Sequence, residues 1–204
     1  GSSNDISGAI FLPKDSKVVG CVMNIENTFK LNDLKQDGSI TAIRIEGSKK
    51  SVHQRIENLI NELKIKNHNI SVLETYQSEI FWNKVKSLEF FSNSKNSILR
   101  IVIPPSECVK LIYQFSNKFK YYIDWGGALV WMEAFELSEE MFESIRKKVV
   151  RLGGYMTLIK YSDFLPYVED VFTINRDRFN ISQNIKKSFD PKRILNPGKM
   201  YTGI

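Results

Sequence analysis

The chain has two histidines and two cysteines in 204 residues, and their spacing already narrows the chemistry. His53 sits beside Val52 in a helical pattern, and His68 lies in the polar run Lys66-Asn67-His68-Asn69. Neither has another histidine or a cysteine at ligand spacing. The pattern therefore points to surface histidines and away from a catalytic triad or a metal site. Cys21 and Cys108 are far apart with no C-x-x-C spacing, so neither zinc nor a disulfide framework is expected, and a reducing, cytoplasmic setting fits. No P-loop, G-x-G-x-x-G or G-x-S-x-G segment occurs. From spacing alone, no reaction is named.

Three short segments remain. In Asp124-Trp125-Gly126-Gly127-Ala128, the paired glycines permit positive φ or close backbone approach. Trp125 can cap a pocket, stack on a planar ring or cover the end of a sheet. Gly153-Gly154-Tyr155 reads either as a helix stop or as a close approach to a ligand. Asn196-Pro197-Gly198-Lys199 is a tight turn, suited to a docking tail or to a clamp on something beyond this chain.

The elements that must position these residues alternate in type. Ser39 to Gly47 has strand alternation, with Thr41, Ile43 and Ile45 on one face and Ala42, Arg44 and Glu46 on the other. Val52, Ile56, Leu59, Ile60 and Leu63 follow helical spacing, Ile70 to Leu73 reads as a short strand, and Ile80, Phe81, Val85 and Leu88 mark a helix. Ile98 to Ile103 is a strand with Arg100 opposite Leu99, Ile101 and Ile103. Pro105 opens a helix with an expected buried stripe of Val109, Ile112 and Phe115. Strands follow near Lys120 to Ile123 and Ala128 to Ala134, with Asp124 to Gly127 as the turn. Ser138 to Leu152 is a helix with Ser138 as N-cap, Glu139 and Glu140 at its positive end, and Gly153 as the stop. Tyr155 to Lys160 is a last strand, and a polar helical stretch near Asp170 to Lys187 leads to the tail Phe189 to Met200. This order predicts an α+β fold, ferredoxin-like, with a mainly antiparallel sheet and helices packed on one face. The opposite face is expected to collect Arg44, Glu46 and Arg100. Such a face is either solvated or turned towards a partner domain or a ligand.

Composition fits this picture. Hydrophobic residues are 42% and charged residues 25%, which is ordinary for a globular chain. The net charge of +6 comes mostly from lysine, with 21 lysines against 8 arginines. The lysines are scattered in pairs, so a solvated surface is expected rather than a nucleic-acid patch. No apolar run reaches the roughly 18 residues of a membrane span. The start, Gly1-Ser2-Ser3, reads as an expression-tag remnant, so the chain is expected to be a piece of a longer protein.

Several segments together resemble one family. They are Asp5-Ile6-Ser7-Gly8-Ala9, Thr41 to Gly47, Leu99 to Pro104, Ile123-Asp124-Trp125-Gly126-Gly127-Ala128, Gly153 to Leu158, and Phe189-Asp190-Pro191 through Asn196-Pro197-Gly198-Lys199-Met200-Tyr201. Their order and spacing are similar to the second half of the glycolate oxidase FAD-binding subunit. The tail alone is shared with other FAD-linked oxidases, including D-lactate dehydrogenases, while D-W-G-G-A narrows the likeness. The resemblance implies a flavoprotein of the vanillyl-alcohol-oxidase type. Residues 4–165 would be the cap or substrate domain. Residues 166–204 would be a helix and an N-P-G-K tail docking on an FAD-binding domain outside this chain. That domain carries the glycine-rich pyrophosphate-binding segments, so this piece is expected neither to hold FAD tightly nor to turn over by itself.

The same resemblance assigns roles. Arg44 and Arg100 become candidates for the carboxylate of a 2-hydroxy acid, with Glu46 orienting one of them. Trp125, Gly126, Asn196 and Lys199 become candidate cofactor contacts. Tyr155 stands where many relatives carry a histidine, and tyrosine, with an ordinary pKa of about 10, is a poor base at neutral pH. The implied activity is oxidation of glycolate or a similar 2-hydroxy acid with electrons passed to FAD and on to other flavin and iron-sulfur subunits. The protein is expected in the cytoplasm, or held at the inner face of the membrane by those subunits. Rival readings are a D-2-hydroxy-acid dehydrogenase, a non-catalytic interaction subunit of a flavoprotein complex, and a basic nucleic-acid-binding module. No metal site is expected.

Overall fold

A computed structural model describes residues 4–14, 38–63, 70–115, 119–163, 165, 168, 170–199 and 201–203. It divides into two compact units, Gly1–Asn93 with Lys120–Gly127, and Ser94–Phe119 with Ala128–Ile204. Cys21 and His68 lie outside the described residues. The class is α+β, and the strand pairings are antiparallel.

The first unit is built on strands β1 (Ile6–Leu12) and β2 (Ile40–Ile45) and nearly all of β4 (Phe119–Asp124), with β1 in the centre. Helices α1 (Lys49–Glu62) and α2 (Thr75–Lys86) belong to it. Ile10, Leu12, Leu59, Phe81, Val85, Phe91 and Tyr122 are its buried hydrophobic side chains. Gly8 has a packing reason: a Cβ there would lie 3.1 Å from the Trp82 ring and 3.5 Å from the Arg44 Cβ. The indole of α2 therefore lies against bare backbone of β1. The Ile70–Leu73 segment forms no strand. Its short apolar run has no pairing partner among the described residues, and Ile70 and Val72 are exposed.

The second unit is built on β3 (Ser97–Val102), β5 (Leu129–Ala134) and β6 (Tyr155–Lys160), ordered β5-β3-β6. Leu99, Ile101, Val130, Met132, Met156 and Leu158 form its buried face. Helices α3 (Pro105–Phe115) and α4 (Glu139–Arg151) supply Cys108, Leu111, Phe115, Phe142, Ile145 and Val149 to the core. The expected stripe of α3 holds at Phe115 but is one position out before it. Val109 is 73% exposed, whereas Cys108 and Leu111 are buried. Both phases place apolar residues on one face, and the packing selects the one that fills the core, where the thiol acts as a small apolar group.

Helix α4 matches its sequence signals. The Ser138 Oγ accepts the Met141 N–H at 3.2 Å. At the other end Gly153 takes φ 76°, and the Gly153 and Gly154 N–H groups donate to the Val150 and Val149 carbonyls, both at 2.9 Å. That is the paired bonding of a Schellman stop. The second glycine has its own reason: a Cβ on Gly154 would lie 2.5 Å from the Val102 carbonyl oxygen. The Gly153-Gly154 pair is thus a helix stop followed by close approach to β3. The helical stretch expected from Asp170 begins later, as α5 (Arg176–Phe189). The residues before it run along β6, with the Leu158 N–H donating to the Val171 carbonyl and the Thr173 N–H to the Met156 carbonyl, each at 2.8 Å.

Candidate functional site

Arg44, Glu46, Trp125 and Gly126 belong to the first unit; Arg100, Tyr155, Asn196 and Lys199 belong to the second. Arg44 and Glu46 form an ion pair at 2.8 Å. Their expected position on a face opposite the core is corrected for Arg44. It pairs across strands with Gly8, in step with Ala42 opposite Ile10 and Ile40 opposite Leu12. In antiparallel pairs, opposite residues share a face, so Arg44 lies on the buried side of β1, beside Trp82. Thr41, Ile43 and Ile45 take the other side. The turn after β2 is held by Arg55. Its guanidinium donates to the carbonyls of Glu46 and of Asn4, the latter at 3.3 Å.

The Asp124–Gly127 turn is left-handed at three successive residues: Trp125 at φ 52°, Gly126 at 60° and Gly127 at 104°. Gly126 and Gly127 carry no Cβ penalty. Trp125 does, and a bulky residue there is an outlier of the kind that clusters at functional sites. The turn is fixed by the Asp124 carboxylate, which accepts the Trp125 N–H at 2.7 Å. Burial pushes the Asp124 carboxyl pKa up, and that hydrogen bond partly opposes the shift. The indole is 57% exposed. Space around the Gly126 α-carbon is open.

Arg100 lies where the alternation of β3 put it, opposite the buried Leu99 and Ile101. The register adds its neighbours: Trp131 on β5 and Thr157 on β6 stand directly across from it. The guanidinium carbon lies 6.0 Å from the centre of the Trp131 ring. One row along, Val102 stands between Leu129 and Tyr155, and Tyr155 is exposed. At the other end of the face, Glu133 is buried, and it accepts hydrogen bonds from Ser94 at 2.5 Å and Asn96 at 2.7 Å. Trp131 and Thr157 escaped the sequence reading because no local signal carries strand register.

The tail is anchored by residues that the sequence reading left without a role. Lys186 on α5 reaches Asp190 at 2.7 Å and also donates to the Leu195 carbonyl. Asp190 in turn accepts the Ile194 and Leu195 N–H groups at 3.0 and 2.9 Å. The Lys186 hydrogen bond is the largest cause, with the two backbone N–H bonds next, of an Asp190 pKa lowered to about 2. The i,i+4 spacing of Lys186 and Asp190 is the signal that could have found them. Asn196 and Lys199 lie beyond this anchor in an exposed turn closed by the Lys199 N–H to the Asn196 carbonyl at 3.3 Å. Tyr201 then packs edge-on against Phe172 and Phe179, and Thr202 donates to Asp170.

Other features carry less. His53 is an exposed partner of Glu57 at 3.3 Å on α1. Among the described residues there is no cluster of three or more His, Cys, Asp or Glu side chains able to hold a metal. Among them, no helix is long and apolar enough to cross a membrane. A surface groove between α3 and α4 is lined by Gln114, Glu139, Glu143, Lys147 and Arg151 and contains none of the candidate residues.

Two comparisons with known proteins bear on this geometry. Residues 171–200, which span the start of the β6-paired segment, α5 and the Asp190 anchor, match the family model described as FAD linked oxidases, C-terminal domain. The chain is 27% identical over 128 residues to glycolate oxidase subunit GlcE of Escherichia coli (strain K12), covering 61% of this chain and 32% of that protein. The matched stretch thus spans about a third of that relative. Its α+β fold and anchored tail fit these matches, and the chain resembles the C-terminal part of an FAD-linked oxidase of the glycolate oxidase type.

Proposed function

We propose that this chain is the cap domain and tail of an FAD-dependent 2-hydroxy-acid oxidoreductase of the glycolate oxidase type. The observation that carries the reading is Arg100. It projects from the non-core face of β3 beside an aromatic wall and a hydroxyl, in a chain whose tail matches the FAD-linked oxidase family. A planar guanidinium fork pairs with a carboxylate through two parallel hydrogen bonds. It would hold the substrate by its acid group and orient the carbinol carbon. Arg44, paired with Glu46 beside Trp82 on the core side of β1, is the second arginine candidate.

The residues also suit a particular relation to the flavin. The described part offers no glycine-rich pyrophosphate cradle. It offers an exposed indole fixed in a left-handed turn, with Gly126 leaving room for close approach. That suits contact with a planar ring better than retention of the whole cofactor. When bound, FAD supplies the two-electron acceptor, while this chain's residues bind the acid, orient it and shield the ring from water. The FAD-binding domain would be in the same polypeptide, and other flavin and iron-sulfur subunits would take the electrons onward.

Tyr155 favours a second reading. With no histidine there, the subunit could support a partner's oxidation without oxidising substrate itself. One experiment separates the readings. The full-length polypeptide is purified with its flavin and mixed anaerobically with glycolate or D-lactate. Bleaching of the flavin that is lost in Arg100→Ala supports the enzyme reading. Bound flavin that no 2-hydroxy acid bleaches supports the interaction subunit. A full-length protein that retains no flavin defeats both.

A further inference from the structure

We propose that Trp131 sets the size of the 2-hydroxy acid, walling the carboxylate site so that only a hydrogen or a small alkyl group is accepted on the carbinol carbon. The inference rests on the reading of Arg100 as the carboxylate anchor and adds a specificity determinant to it. Backbone pairing fixes the row Thr157–Arg100–Trp131, and cross-strand neighbours have Cβ atoms about 5 Å apart. A carboxylate on the Arg100 fork therefore has a large, half-buried indole on one flank and a small hydroxyl side chain on the other. In the next row, Val102 and Leu129 add an apolar floor. Trp131 is itself half-buried on this face of the sheet, between the rows of Leu129 and Glu133 along β5, both of which are buried. The indole on that flank limits bulk at the α-carbon, while on the other flank the row continues from the small Thr157 hydroxyl side chain to Phe172, which pairs with it.

The test uses the intact flavoprotein and two readouts. The first is kcat/KM for glycolate, lactate and 2-hydroxyisovalerate. The second is the dissociation constant of each corresponding 2-oxo acid, read from the perturbed flavin spectrum without turnover. In Trp131→Ala the preference for the branched acid relative to glycolate should rise roughly 10-fold or more in both readouts, the range for one or more methylenes in an apolar pocket. Trp131→Phe should keep the original order. Trp131→Leu serves the same comparison should the alanine variant fail to fold. If the order is unchanged in the smaller variants while Arg100→Lys weakens every ligand alike, the wall is wrong and the anchor stands. If Arg100→Lys leaves every dissociation constant unchanged, the anchor and the wall fall together.

Discussion

The carboxylate of Asp190 accepts two backbone N–H bonds and one lysine ammonium within a few residues. Each of these favours the ionised form, and together they lower its pKa to about 2. A lowered folded-state pKa has a definite sign. The anchor is fully formed above the unfolded carboxyl value of about 4 and is lost as pH falls towards 2. The amide resonances of Ile194 and Leu195 should titrate with a midpoint of about 2. A midpoint of about 4 would mean that the tail is not anchored this way. Asp190→Asn should shift both resonances at neutral pH towards positions typical of a free chain. Trp125 is the other residue that departs from ordinary behaviour. Its left-handed backbone is costly for a bulky side chain, by roughly 1–2 kcal/mol. The Asp124 carboxylate meets that cost with a short bond to the strained peptide.

At the scale of elements, α4 shows how local signals and packing agree. Its N-cap hydroxyl, acidic first turn, basic last turn and Schellman glycine all point the same way, and its apolar stripe is the one that is buried. Ser138→Ala should cost about 1 kcal/mol by leaving the Met141 N–H without its cap. Thermal unfolding should shift down by roughly 2–4 °C in a chain of this size. An unchanged midpoint would mean that the cap adds nothing. Helix α3 shows where such agreement ends. Val109 and Cys108 are both apolar and adjacent, so periodicity alone leaves two phases open. Likewise β2 alternates cleanly, but alternation says only that Arg44 and Ile43 face opposite ways. The Trp82 ring over Gly8 decides which way is inward.

At the scale of the molecule, α5 and the tail leave an apolar surface uncovered. Ile181, Ile185 and Phe189 recur every four residues along α5, and all are exposed, as are Ile194 and Leu195 beyond it. A helix with such a stripe gains stability by burying it, and the FAD-binding domain proposed for the same polypeptide is the partner offered here. Ile185→Ser with Phe189→Ser should leave the stability of this domain within about 0.5 kcal/mol, since both side chains are mostly exposed. In the full-length protein the same pair should release α5 and the tail to limited proteolysis and weaken flavin retention. Unaltered proteolysis would show that this surface is not a docking face. The sequence by itself determined the types of most elements, though not of β1 or the Ile70–Leu73 segment, together with the α4 boundaries, the Arg100 side of β3 and the resemblance of the D-W-G-G-A and N-P-G-K segments, because each is written in local spacing. Only the tertiary structure decided the side on which Arg44 lies, the phase of α3, the Lys186–Asp190 anchor's hold on Leu195, and the placing of Trp131 and Thr157 beside Arg100. Those depend on strand register and on which face another element covers, and both are set by contacts between residues far apart in the chain.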